Sequence, residues 1–244
     1  MAIHTKGLVL KVSDIGESDR VVTLLTDDYG VIRAFANRAK KMNSKMQSST
    51  QLLSYSDFSV YTGNNSYIID SAEVIEVFFG LRNDIEKLAL GQYFCSLALE
   101  LIPEGEPSSE SLRVILNSLS FLQNEKRSRE FIKAVTELKL LSIAGFAPNV
   151  EACSSCGKSP SGDVFFNLNS GRFTCRDCSG NGKRISAGIL TALRFVIYNP
   201  VDRMYSFALS PDDMLGFSHL CESFLLAQTK KEFKTLNFYK SVIS

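Results

Sequence analysis

Residues 151–180, EACSSCGKSPSGDVFFNLNSGRFTCRDCSG, hold four of the chain's six cysteines, arranged as two C-x-x-C pairs with eighteen residues between them. A C-x-x-C turn aims two sulfurs at one point, and two such turns supply the four tetrahedral ligands that zinc prefers. The spacing predicts one knuckle at Cys153 and Cys156 and a second at Cys175 and Cys178, each closely followed by glycine, Gly157 and Gly180. The intervening DVFFNLNSGRFTC reads as a hairpin turning at Asn169-Ser170-Gly171, which would bring the knuckles together. Four sulfur ligands leave no coordination position for water, so the expected cofactor is one Zn2+ in a structural role. Two other uses of these thiols stay open. A redox dithiol normally opens a helix in a thioredoxin-like context, which is not evident here. A pair of disulfides requires an oxidising compartment. Cys95 and Cys221 fall on apolar helical faces and read as core residues.

The remaining chemistry is sparse. The two histidines, His4 and His219, lie in no catalytic motif, and His219 reads as a helix surface or packing residue. The chain has no phosphate-binding glycine loop, no dinucleotide fingerprint, no H-E-x-x-H and no nucleophile elbow. Asp163 and Asp177 stand beside a cysteine site that is already full, so they do not make the open carboxylate cluster of a metal-dependent nuclease. An enzyme is therefore the least favoured reading.

Charge is more informative in its distribution than in its sum. Lys and Arg number 27 against 26 Asp and Glu, a net +1, yet no acidic residue occurs between Asp28 and Asp57. That window holds Arg33, Arg38, Lys40, Lys41 and Lys45, with Lys11 and Arg20 on neighbouring segments. A local positive field follows, of the kind that tracks phosphates. The same stretch carries Phe35, Tyr55, Phe58 and Tyr61; rings beside cations are what single-stranded nucleic acid needs for base stacking. In DFSVY, strand alternation puts Phe58 and Val60 on one face and Ser59 and Tyr61 on the other, so Phe58 is expected in the core and Tyr61 at the surface. The expected DNA-binding set is Lys11, Arg20, Arg33, Arg38, Lys40, Lys41, Lys45 and Tyr61. A solvated basic connection would have the same composition.

The elements that must position these residues change character along the chain. Residues 1–78 give five strand-like segments, LVLKV, RVVTLLT, VIRAFA, DFSVYT and SYIIDSAEVIEVF, separated at Gly16, at 27–30 and at 63–65. Five short strands with one long basic connection between the third and fourth predict a closed barrel of OB type, with another small barrel as the alternative. From residue 81 the period becomes helical, with Asp84 placed as an N-cap and Ile85, Leu88, Phe94, Leu97, Ala98 and Leu101 forming the apolar face, until Pro103 and Gly105 end it. Further helices are predicted at 109–123, 127–144, 187–198 and 211–229. Gly145 and Pro148 close the third, and Asn199-Pro200 divides the last two. The fold class is thus α+β multidomain. The expected divisions are an OB barrel at 1–79, a helical part at 80–149, a four-cysteine ribbon at 150–182 and a second helical part at 183–244. Apolar runs stop short of the roughly 20 residues needed to cross a bilayer. No signal-like N-terminus is evident, so a cytoplasmic location is expected.

With these residues in place the chain resembles the RecO family of bacterial recombination and repair proteins over essentially its whole length. The resemblance is carried by GLVLKVSDIGESDRVVTLLTDDYGVIRAFA, by ANRAKKMNSKMQSSTQLLSYSDFSVYTG, by ELKLLSIAGFAPNVEACSSCG and by the C-terminal TLNFYKS. Its sharpest part is the L-x-x-x-G-x-x-P-x-x-x-x-C-x-x-C-G pattern at Leu141, Gly145, Pro148, Cys153, Cys156 and Gly157. The resemblance implies an OB fold, a helical domain and a zinc element. It implies binding of single- and double-stranded DNA, annealing of complementary strands, and work with RecR to place RecA on strands coated by single-strand-binding protein (SSB), whose acidic, aromatic-ended tail is the partner contact. Neither a membrane nor a small-molecule substrate is implied. Some family members lack the cysteines, so the shared activity is not expected to run through zinc. Two alternatives remain from the residues themselves: a zinc-ribbon adaptor between proteins, and an RNA- or transcription-linked factor without annealing activity.

Overall fold

The computed structural model describes residues 2–41, 44, 46–63, 66–160, 162–178 and 180–243. Lys45, Asn64 and Asn65 lie outside the described residues. The N-terminal alternation of branched and polar residues forms β1 (Ala2–Ile15), β2 (Asp19–Thr26) and β3 (Gly30–Ala36), then a short α1 (Met46–Ser49), β4 (Tyr55–Gly63) and β5 (Ser66–Glu76). The strands close in the order β1-β2-β3-β5-β4, with β4 returning antiparallel to β1. This is the expected five-stranded barrel of OB type. The seam between β3 and β5 is its parallel pairing, through Ala34↔Tyr67 and Phe35↔Ile68.

Every second side chain enters the barrel: Val22 and Leu24 from β2, Ile32 and Ala34 from β3, Phe58 and Val60 from β4, and Ile69 from β5. Full burial of each large one stabilises the fold by about 1.5–3 kcal/mol. The β2–β3 turn needs Gly30, whose φ is +58°; a Cβ there would lie 2.7 Å from the Pro103 carbonyl oxygen. Its absence lets the segment after the first long helix dock on the turn, where Ser108 N–H donates to Asp27 O at 3.0 Å and Gly105 N–H to Tyr29 O at 3.2 Å.

After the barrel come α2 (Phe79–Arg82), α3 (Ile85–Leu101) and α4 (Ser109–Gln123). Asp84 caps α3 as expected, its carboxylate accepting from Glu86 N–H at 2.9 Å and Lys87 N–H at 3.1 Å. Helix α3 is buried on most sides, through Leu90, Tyr93, Phe94, Leu97 and Ala98, but Ile85 is exposed. As the first helical residue, Ile85 precedes the turn that enters the core.

Helix α5 (Arg129–Leu141) is capped by Ser128 and buried from Phe131 to its end. The helix expected over 127–144 therefore starts later. It gives way to a wider turn at Ser142–Phe146, where Gly145 takes φ +88°. Three short strands follow, β6 (Val164–Asn167), β7 (Arg172–Cys175) and β8 (Lys183–Ile185), in the antiparallel order β7-β6-β8. Helices α6 (Ala187–Tyr198) and α7 (Pro211–Thr229) occupy the expected spans, and α8 (Lys234–Val242) ends the chain. Neither β8 nor α8 was expected as an element. Helix α8 packs on α3 by burying Leu236 and Tyr239, with Thr235 Oγ1 donating to Ser96 Oγ at 3.0 Å.

By packing, the chain forms two compact units: Met1–Asn124 with Lys234–Ser244, and Glu125–Phe233. Among the described residues, no helix is long and apolar enough to cross a membrane.

Candidate metal centre and nucleic-acid interface

The sulfur atoms of Cys153, Cys156, Cys175 and Cys178 lie within 4.8 Å of one another. The Cys156–Cys175 separation is 3.8 Å. Four sulfurs at about 2.3 Å from a tetrahedral ion would stand about 3.8 Å apart, so the thiols fit a single ion at their centre. Local backbone geometry makes the knuckles. Gly157, at φ +70°, closes the first, donating from its N–H to Cys153 O at 2.9 Å. Cys175 N–H donates to the Cys153 sulfur at 3.2 Å, and Ser154 N–H reaches Phe173 O at 2.9 Å, joining the knuckle to β7. Gly180, after the second pair, sits against the Thr174 side chain, where no Cβ could be placed.

The N–H groups of Cys175 and Cys156 favour a thiolate at Cys153 and pull its pKa down to about 6. Hydrogen bonding to the Cys175, Cys156 and Cys153 sulfurs, together with desolvation and the Cys153 charge, pushes Cys178 up to about 12. A cation at the centre of the cluster would favour the thiolate form that a metal ligand needs. Soft tetrahedral sulfur sets suit zinc or iron–sulfur chemistry. All four ligand positions come from protein. Cys95 and Cys221 stand apart and are buried, as expected, and burial pushes the Cys95 thiol up to about 12.

The ribbon is anchored to helices of its own unit. In the β6–β7 turn, Asn167 Oδ1 accepts from Asn169 and Ser170 N–H, both at 3.0 Å. Gln228 of α7 donates to Leu168 O at 2.7 Å, and Phe166 meets Phe224 edge-on with centroids 5.6 Å apart. Arg194 of α6 holds Val150 O at 2.7 Å and Glu151 O at 3.0 Å. Asp163 is engaged by Arg184 at 2.7 and 2.9 Å, so it faces a guanidinium rather than a second carboxylate. His4 and His219 are both exposed.

The basic residues fall into groups the sequence did not separate. Lys11, Thr23 and Arg33 form one cross-strand row over β1, β2 and β3. Strict alternation from Val9 would aim Lys11 into the barrel. A β-bulge between Val9 and Lys11 resets the parity, so that Val12 packs on the core and Lys11 is exposed. Lys11 and Arg33 line a cleft of about 240 Å3 with Leu99, Ile102 and Glu104, and neither has an ion pair among the described residues.

Arg20 and Lys40 instead share Asp14, each at 3.3 Å, with only 18% and 27% of their side chains exposed. Lys40, then Arg20, holds the Asp14 carboxyl below its ordinary value. Arg38 occupies the left-handed region at φ +55°, its N–H donating to Asp19 Oδ1 at 2.7 Å, and this bond holds the Asp19 carboxyl low. Arg38 and Lys41 are exposed. Tyr61 is exposed and Phe58 fully buried, in keeping with their strand parity. Phe35, absent from the expected site, is also exposed on β3, two residues from Arg33. Its position after Arg33 in alternation was the available signal.

The fold and the site define a class: an OB-type barrel with an exposed basic row, in a chain that also carries a four-thiol ribbon on a helical unit. Comparison with known proteins narrows this. Residues 1–78 match the family described as Recombination protein O N terminal, and residues 82–237 match Recombination protein O C terminal. Similar relatives include the DNA repair protein RecO of Acetivibrio thermocellus, 32% identical over 98% of this chain and 97% of the relative. Those of Clostridium novyi and Symbiobacterium thermophilum are each 28% identical, covering 96% and 100% of this chain and 92% and 99% of the relatives. The chain belongs to the RecO family of DNA repair proteins.

Proposed function

We propose that this protein is a recombination mediator that works without enzymatic turnover. It binds single- and double-stranded DNA and anneals complementary strands. With RecR it helps place RecA on single strands coated by SSB, whose acidic tail it contacts, in the cytoplasm. The observation that carries this reading is the outward row of Lys11 and Arg33 on an OB-type barrel, in a chain matched to RecO proteins from end to end. Cations on that row neutralise phosphates and lower the repulsion between two approaching strands. Pairing is itself downhill, so no nucleotide fuel is needed. The four cysteines hold one zinc ion with a structural task, because a sphere filled by sulfur leaves no site for substrate or water.

The test is annealing of complementary oligonucleotides, bare and SSB-coated, with and without RecR, at two salt concentrations. Annealing faster than the spontaneous rate, retained on coated strands and weakened by salt, is the expected result. Capture of SSB without any DNA binding would replace this reading with that of a protein adaptor, and preference for RNA over single-stranded DNA with that of an RNA-linked factor.

A further inference from the structure

Three outward side chains on adjacent strands lie side by side. Phe35 of β3 pairs with Ile68 of β5, and Ile68 pairs with Tyr61 of β4. All three are substantially exposed, at 40%, 36% and 45%. They form one apolar stripe across the barrel seam, while their neighbours Ala34, Val60 and Ile69 turn inward. Arg33 precedes Phe35 on the same face of β3, so the stripe continues into the row of Arg33, Thr23 and Lys11. His4, on β1 two residues from Tyr61's partner, and Asp70, at a bulge in β5, mark its other border.

Exposed rings cost solvation; among the described barrel residues Phe35 and Tyr61 are the exposed ones, while the other exposed large apolar side chains, Ile15, Ile68, Val74 and Ile75, carry no ring. Their spacing suggests an occupant. Neighbouring strands are about 4.8 Å apart, so Phe35 and Tyr61, separated by β5, stand about 10 Å apart. That is roughly three times the 3.4 Å rise of a stacked strand. That spacing leaves room for two stacked unpaired bases between the rings, or for one splayed base on each; bases enclosed in a duplex are open to neither. The adjoining cations supply charge complementarity for the phosphates between them.

We infer that the Phe35–Ile68–Tyr61 stripe is a stacking platform for unpaired bases, and that it adds affinity for single-stranded nucleic acid that a duplex does not receive. This rests on the DNA-binding reading above. Cations on the neighbouring row grip either form through its phosphates, whereas the rings gain only from bases that are not already paired. On annealing, the new duplex withdraws its bases from the rings and keeps only the phosphate contacts, so product release is built into the surface.

The experiment measures affinity of the full chain for a thymidine oligonucleotide and for a duplex of equal length, using the parent, Phe35→Leu, Tyr61→Leu and the double variant. Each single change is expected to weaken single-strand binding by roughly 5- to 100-fold, with the salt slope and the duplex affinity kept. The chain contains no tryptophan, so Phe35→Trp places a sole indole on the stripe, and its emission is expected to be quenched by the oligonucleotide but not by the duplex. Single-strand affinities within twofold of the parent, equal losses for both ligands, or an unquenched indole on an oligonucleotide that binds would each overturn the stacking platform while leaving phosphate binding intact. A parent that binds neither ligand would overturn both readings.

Discussion

Lys133 of α5 is a buried cation outside the two sites. Its ammonium meets Glu137 Oε1 at 2.9 Å and Glu222 Oε2 at 2.8 Å, with 5%, 0% and 17% of the three side chains exposed. Burial alone would pull its pKa down, but the two facing carboxylates outweigh that and hold the ammonium above the ordinary lysine range. Removing it in Lys133→Met leaves two carboxylates facing each other in the interior. The expected cost is about 3–5 kcal/mol, read from the urea midpoint. A folded value raised above the unfolded one contributes stability that is complete below the ordinary lysine value of about 10.4. That contribution is lost as pH climbs through the raised value. The stability gap between parent and Lys133→Met should therefore stay constant up to about pH 10 and narrow only as pH rises above the ordinary lysine value. Lys133 and Glu137 are four residues apart, but nothing local in the sequence reveals that α7 brings Glu222 over them. The parity of DFSVY, by contrast, was readable: Phe58 inward and Tyr61 outward follow from alternation alone. Lys11, expected at the surface and found exposed, does not follow from alternation, since one extra residue in β1 reverses its direction and leaves no mark in the residue types.

At the scale of elements, the three ribbon strands have four, four and three residues and bury only Val164, Phe166, Phe173 and Ile185. So small a core does not hold a sheet by itself, and a structural ion supplies on the order of 10 kcal/mol in isolated fingers. Chelation, or Cys175→Ser, is expected to remove one metal ion per chain and lower the thermal midpoint, while oligonucleotide affinity measured below that midpoint stays unchanged. Loss of oligonucleotide binding by a still-folded, stripped protein would give the ion a direct part in the contact. The ribbon's cysteine spacing and its Asn169-Ser170-Gly171 turn were legible because they act over a few residues. Strand β8 was not, because KRI gains strand character only by pairing with β6. Helices α4, α6 and α7 were legible to the residue, being long, periodic and bounded by proline or polar caps. Helix α8 went unseen, since its nine residues show their apolar face only against α3.

For the whole molecule, the proposed function asks a near-neutral chain to hold polyanions, and its cations are sorted into paired and unpaired groups. Asp14 engages Arg20 and Lys40, whereas Lys11 and Arg33 face outward together without an ion pair among the described residues. The acid-free window from 29 to 56 contains Arg33 but not its neighbour in the cross-strand row, Lys11. Which cations share a row depends on how the barrel sets β2 between β1 and β3, which composition does not encode. An exposed ion pair is worth little, so Arg20 and Lys40 can exchange Asp14 for a phosphate, but they begin with a partner to lose. The decisive measurement is the salt dependence of single-strand affinity for the metal-loaded parent and for the Lys11→Ala, Arg33→Ala double variant. Each lost phosphate contact removes about 0.7 from the log–log slope, so the double variant should be flatter by about 1.4 and bind more weakly at every salt concentration. A double variant with the parent's slope and affinity, or a parent that ignores oligonucleotides even in dilute buffer, would contradict the assignment of DNA binding to this face of the barrel.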